Sequence, residues 1–247
     1  MTFIDLHNHI DVYKDSEIKK IISRAREKEV KIILTNSVDK KSGERILELS
    51  KEFQEIKPCL GIYPVEATKM SEKEFQENLE FIEKNKGSIY AVGEVGLDLK
   101  EIPTIKKQSQ RFEKLIQLSK QINKPLIVHC RKAEQQTIEV LENQDAKKVI
   151  IHCFMGNMKL VERIISNKWS LTIPTCVKHS QHFQEIIKKA PIKQLFCETD
   201  SPFLHPDKER NNEPVNVLES YKKISEIKNI PLKEVEDNIE ENFKRLF

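Results

Sequence analysis

The sequence predicts a single (β/α)8 TIM barrel closed by a C-terminal helix, and three observations predict it. Eight short β-branched, largely apolar runs alternate with segments of helical apolar spacing along the whole chain. Several runs are apolar without a break (IIL, LIV, VII), as parallel strands covered on both faces should be. The length of 247 residues also suits such a barrel, which typically needs about 250. The competing architecture, an open doubly wound sheet, usually carries a glycine-rich phosphate loop after its first strand. Here the first strand ends instead in His7-Asn8-His9. No linker, low-complexity tract or repeat splits the chain, so residues 1–247 are expected to form one domain.

The strands are expected at Phe3–His9, Lys31–Asn36, Pro58–Tyr63, Ile89–Gly96, Pro125–Cys130, Lys148–Phe154, Ser170–Thr175 and Gln194–Asp200. Apolar residues at i, i+3, i+4 spacing mark the helices between them. Ile18, Ile21, Ile22 and Ala25 form one face, and Phe75, Leu79 and Ile82 another. Phe112, Leu115, Ile116 and Ser119 line the helix before strand five. Val161, Ile164 and Ile165 follow strand six, and Val217, Tyr221 and Ile224 follow strand eight. Pro231–Phe247 reads as the terminal helix, packing Val235, Ile239, Phe243 and Leu246.

Composition excludes several classes. Only 6 Gly and 10 Pro rule out collagen-like and linker-rich chains. No apolar run reaches the roughly 18 residues of a membrane span. The start MTFIDLHNHI has no basic-then-apolar leader pattern, so a cytoplasmic protein is expected. A net charge of +3 is too near balance to imply a nucleic-acid partner through bulk charge. The five cysteines are odd in number, widely spaced and without a C-x-x-C pair. Buried free thiols on strands are expected, not disulfides or a cysteine zinc site.

The active site of a parallel barrel lies at the carboxyl ends of its strands. His7 and His9 end strand one, Glu94 strand four, His129 strand five, His152 strand six and Asp200 strand eight. The two histidines of His-x-His share a face because strand side chains alternate. Taken singly, each group has a structural role open to it: a hydrogen-bonded histidine, a buried carboxylate, a turn cap for Asp200. Together they bring six potential ligands to one rim, and burying such carboxylates without a countercharge is costly. Metal cations supply that charge. Four imidazoles and two carboxylates exceed one tetrahedral zinc. They suit two divalent ions sharing a carboxylate, an arrangement that makes hydroxide available and favours hydrolysis. Zinc is the first expectation, with magnesium and manganese as the other candidates.

The motifs resemble those of the TatD-related deoxyribonucleases, within the metal-dependent amidohydrolase-like barrels. The shared stretches are IDLHNH, GIYP at Gly61–Pro64, AVGEVGLD at Ala91–Asp98, PLIVHCRKA at Pro125–Ala133, IHCFMGN, ETDSPFL, RNNEP and the closing NFKRLF. They span nearly the whole chain in order. The resemblance implies a metal-dependent nuclease that removes nucleotides from DNA ends. It implies His7, His9, Glu94 and Asp200 around one ion, and His129, His152 and a bridging Glu94 around the other. Asp200 would orient the attacking water and take its proton. The family usually has His where this chain has Tyr63, and often Asp where it has Lys132. Tyr63 is expected to touch substrate through its hydroxyl, with His205 filling part of the vacated role.

Arg131 and Arg210 are expected to face phosphate, which their forked guanidinium groups match. The strand-end loops also carry Lys100, Lys132, Lys178 and Lys208. Tyr63, Phe154 and Phe203 are the few rim aromatics, so contact with DNA should be mainly to its backbone and salt-dependent. His179 and His182 are read as solvated helix-start residues. Two other functions compete: a two-metal hydrolase of a small amide, lactone or aminoacyl ester, and a silent metal-containing DNA-binding protein. A monomer is the expected state.

Overall fold

The computed structural model describes residues 2–102, 104–207 and 211–247. Eight parallel strands run in the order of the chain: β1 (Phe3–Asn8), β2 (Val30–Asn36), β3 (Ile56–Leu60), β4 (Ala91–Asp98), β5 (Leu126–Arg131), β6 (Val149–Ile151), β7 (Ser170–Pro174) and β8 (Leu195–Glu198). The (β/α)8 barrel expected from the sequence is the fold. It closes at its carboxyl end where β8 meets β1. There Asp200 N donates to His7 O at 2.9 Å, and His9 N donates to Ser201 O at 2.8 Å. Burial is continuous along β1, β4, β7 and β8, as a sheet packed on both faces requires.

The outer ring comprises α1 (Asp15–Glu27), α2 (Lys40–Glu52), α3 (Pro64–Lys69), α4 (Glu72–Lys84), α5 (Ile105–Gln121), α6 (Glu134–Asn143), α7 (Met158–Ser166), α8 (Gln181–Lys189) and α9 (Leu218–Lys228). The terminal helix is α10 (Leu232–Leu246), and it buries Val235 and Ile239. Each buries an apolar stripe; α1 buries Ile18, Ile21, Ile22 and Ala25. Sequence and structure differ at ends. Val217 lies in a 3-10 turn ahead of α9. Leu79 is only half-buried, and Asn78 turns inward on α4 instead, its amide donating to Glu74 O. β6 is three residues long, because the chain leaves the sheet at His152 to form the site.

The cysteines are free, but two of them are not on strands. Cys153 follows β6 and Cys176 sits in a 3-10 turn after β7. Phe154 is fully buried and therefore no rim aromatic. His182 is not solvated either: it is half-buried, with Nε2 3.0 Å from Phe154 O. Among the described residues, no helix is long and apolar enough to cross a membrane.

Candidate metal centre

The six strand-end residues meet at the carboxyl mouth of the barrel. His7 lies in β1 and His9 one residue past its end, and the two rings turn to the same mouth. Their Nε2 atoms are 3.2 Å apart. His7 Nε2 is 3.6 Å from Glu94 Oε2 and 3.5 Å from Asp200 Oδ1. His9 Nε2 is 3.3 Å and 3.8 Å from the same two oxygens. A second group forms on the other carboxylate oxygen. Glu94 Oε1 lies 2.7 Å from His129 Nδ1 and 3.0 Å from His152 Nε2, which are 3.1 Å from each other. The groups touch where the His7 and His152 rings stack, 3.9 Å between centroids.

Glycines let Glu94 take this place. A Cβ on Gly61 would meet the Glu94 backbone nitrogen and oxygen at 2.6 Å. Gly96 has φ +144, and a Cβ there would lie 1.9 Å from His129 O, so only glycine allows β4 and β5 to approach. Ser37 ties the same corner, accepting Glu94 N at its carbonyl and Gly61 N at its hydroxyl. Asp200 sits in the left-handed region at φ 53, a conformation its short polar side chain tolerates. Asp5, fully buried, staples β1 to β8 by accepting Thr199 N and Thr199 Oγ1. Burial pushes its carboxyl up to about 8, against the pull of those bonds.

Two of the four imidazole rings are hydrogen-bonded from behind. His9 Nδ1 is 3.0 Å from Asn36 O. His129 Nε2 is 3.3 Å from Asp98 Oδ2. His152 Nδ1 lies 3.7 Å from Glu198 Oε2, too far for a hydrogen bond, and His7 Nδ1 has no hydrogen-bond partner among the described residues. A carboxylate or carbonyl behind an imidazole fixes which ring nitrogen is free to ligate. Asp98 and Glu198 were not singled out from the sequence. The period-two count that pairs His7 with His9 also puts Asp98 on the face of Glu94, so that signal was present.

The electrostatics are those of charges drawn together out of water. Burial raises the Glu94 carboxyl, but the surrounding imidazoles, His152 first, overcome it and hold it well below the usual range. Burial lowers His9, but the hydrogen bond and charge of Glu94, then Asp200, lift it to about 9. His129 rises to about 9 likewise, with Asp98 and Glu94 outweighing burial. Burial and the His152 charge push His7 well down. Burial raises Asp200 against the pull of His152 and His9. Burial, with the charge of Asp200 behind it, pushes Glu198 far up.

The donor set fits divalent cations. Ligands about 2.1 Å from an ion in tetrahedral array lie about 3.4 Å apart. The His7, His9, Glu94 and Asp200 contacts run from 3.2 to 3.8 Å. Ligand atoms of His7, Glu94 and His152, and of His7, His9 and Asp200, fall within 4.8 Å of one another. The His129–Glu94–His152 atoms stand closer, at hydrogen-bond distance, as imidazoles and a carboxylate sharing protons do.

A cleft of about 560 Å³ opens over the cluster. Tyr63 and Arg131 line it, with Val12, Met155 and Phe203 at its walls. Those three are exposed although large and apolar. A shallower groove of about 810 Å³ lies outside the barrel along α5, away from the strand ends. His205 is not among the residues lining the cleft; its Nδ1 instead accepts Asp207 N at 3.1 Å. Arg210, with Lys208, lies outside the described residues. Lys178 is paired with Asp207.

The sequence matches the family described as TatD related DNase over residues 4–247. The chain belongs to the TatD-related family. It is 32% identical to an uncharacterized metal-dependent hydrolase of Methanocaldococcus jannaschii, covering 99% of this chain and 96% of that one. It is 30% identical to the human deoxyribonuclease TATDN3, covering 99% and 94%. The crystal structure of the TatD homolog YjjV from Escherichia coli superposes with a TM-score of 0.93 at 23% identity, covering 99% and 97%. That likeness concerns the fold. The chain is thus a metal-dependent hydrolase of the TatD family.

Proposed function

We propose that this TatD-related hydrolase cleaves phosphodiester bonds of DNA from strand ends, with two divalent ions held on a shared Glu94. The observation that carries the reading is the division of Glu94: one oxygen faces His7 and His9, the other His129 and His152. His7, His9, Glu94 and Asp200 would hold one ion; Glu94, His129 and His152 would hold the other. When bound, the ions supply Lewis acidity and lower the pKa of water. The protein's residues do the rest. Asp200 lies at the cleft with a carboxyl raised by burial, suited to take a proton from the attacking water. Arg131 places its guanidinium at the exposed edge, where a phosphate oxygen would enter. Phe203 offers a face on which a terminal base stacks. The cleft volume is that of a pocket for one small ligand, which favours a chain end over an internal stretch. The name of the human relative supports DNA as substrate.

The test is release of nucleotides from end-labelled single-stranded DNA by metal-stripped protein resupplied with magnesium, manganese or zinc. Asp200→Asn serves as the contamination control. Metal-dependent release absent from the control supports the reading; no release by folded, loaded protein contradicts it. One observation favours a second reading. Arg131 is the one Lys or Arg among the described residues lining the cleft, and its guanidinium is 3.7 Å from Glu101. A small, largely apolar ester or lactone would suit such walls. Turnover of such esters, with none of DNA, would establish it.

A further inference from the structure

The Tyr63 hydroxyl does not point at the cleft contents but behind a ligand. Tyr63 Oη donates to Asp98 Oδ2 at 2.7 Å and lies 3.3 Å from His129 Nε2. Asp98 Oδ2 is itself 3.3 Å from that nitrogen. The other Asp98 oxygen accepts the backbone N–H of Lys100 at 2.9 Å and of Glu101 at 3.1 Å. The Asp98 side chain is wholly buried. The chain of contacts therefore runs Tyr63, Asp98, His129, and ends at His129 Nδ1, 2.7 Å from Glu94.

We infer that Tyr63 is a positioning residue: it fixes Asp98, which holds the His129 ring in the tautomer that leaves Nδ1 free for the second ion. This rests on the two-ion reading of the site. With Nε2–H donated to Asp98, Nδ1 carries the lone pair. With the proton on Nδ1, the ring would donate to Glu94 and could not ligate. Removing the Tyr63 hydroxyl takes from Asp98 Oδ2 its shorter bond and leaves His129 as its remaining partner there. The carboxylate can then turn, and the tautomer and ring angle loosen. Loss of such a bracing partner typically weakens a metal 10- to 100-fold. The His7 and His9 side is braced by the Asn36 carbonyl and by the Asp200–Ser201 backbone that follows β8, so its ion should not respond. A residue that only contacts substrate would change KM and leave metal affinity alone.

The test is titration of metal-stripped protein with zinc by calorimetry, and with cobalt(II) by visible absorption. The proteins are the parent, Tyr63→Phe, Asp98→Asn and the double variant. Tyr63→Phe should bind one ion as the parent does and the other about tenfold more weakly, with an altered cobalt spectrum. Asp98→Asn should weaken the same ion, and the double variant should be no weaker than Asp98→Asn alone. At saturating metal, KM for DNA should stay within about twofold of the parent. Parent-like binding of both ions by Tyr63→Phe overturns the inference, as do additive effects in the double variant. If Asp98→Asn does not fold, the Tyr63→Phe affinities and spectrum still decide. A folded parent that binds fewer than two ions instead removes the two-ion reading, an outcome told apart by the parent alone.

Discussion

The two imidazole pairs that meet on Glu94 are built by different means. His7 and His9 come from the end of β1 and the residue just past it, and this segment is held by backbone. Asn36 O braces the His9 ring, while Asp200 N and Ser201 O clasp β1 at the barrel seam. His129 comes from β5 and is braced by the buried carboxylate of Asp98, while His152 follows β6 and stands 3.7 Å from the buried Glu198. A backbone brace comes with the fold and survives most substitutions. A carboxylate brace depends on one side chain, itself held by others. The first half should be robust, and the second tunable by residues that touch no ligand.

Breaking the comparison at its shared point should have the largest effect. Glu94→Gln should lower occupancy on both sides and cost several kcal/mol of transition-state stabilisation, on the order of 10³-fold in kcat; metal analysis beside the rate assay checks both. Asp200→Asn should spare the His129–His152 side and lower kcat roughly 10²- to 10⁴-fold through loss of the proton acceptor. Survival of one tightly bound ion distinguishes it from Glu94→Gln. Gly61→Ala drives a methyl into the Glu94 backbone. It should destabilise by about 1–3 kcal/mol and lower metal content on both sides together; thermal melts and metal analysis test this.

Acidity sharpens the comparison, since each half has one imidazole poised near 9, His9 and His129. At pH 7 both carry protons in the ion-free protein, and an ion binds only the neutral ring. Metal loading at pH 7 should therefore release protons and weaken as pH falls. The release should fade as pH rises through about 9, where the rings are already neutral. Titration in weakly buffered solution measures it, and pH-independent uptake would contradict it. The smallest effect is expected at the edge. Arg131→Ala should leave both ions bound and reduce the salt dependence of DNA binding by about one phosphate's worth.

The barrel and the gathering of the six strand-end residues were legible in the sequence for the same reason. Apolar runs at strand spacing locate the strands, and polar residues at their carboxyl ends can only gather at one mouth. The braces were less legible. Asp98 shares the face of Glu94, but nothing local says that it backs an imidazole from β5. Glu198 stands two residues before Asp200 in ETDSPFL, yet the imidazole it faces follows β6. Tyr63 drew attention as a departure, but its hydroxyl turns to Asp98, a partner 35 residues away that spacing does not reveal. His205 shows the converse. Proximity in sequence to Asp200 did not bring it to the cleft, because its ring closes a local turn with Asp207.

The most direct test of the central claim is a crystal structure of the protein loaded with zinc or manganese, with ions placed by anomalous scattering. The account predicts two peaks about 3.5–4 Å apart, one on each oxygen of Glu94. The first should contact His7, His9 and Asp200, and the second His129 Nδ1 and His152 Nε2. A single fully occupied ion, or two ions of which only one touches Glu94, would contradict it.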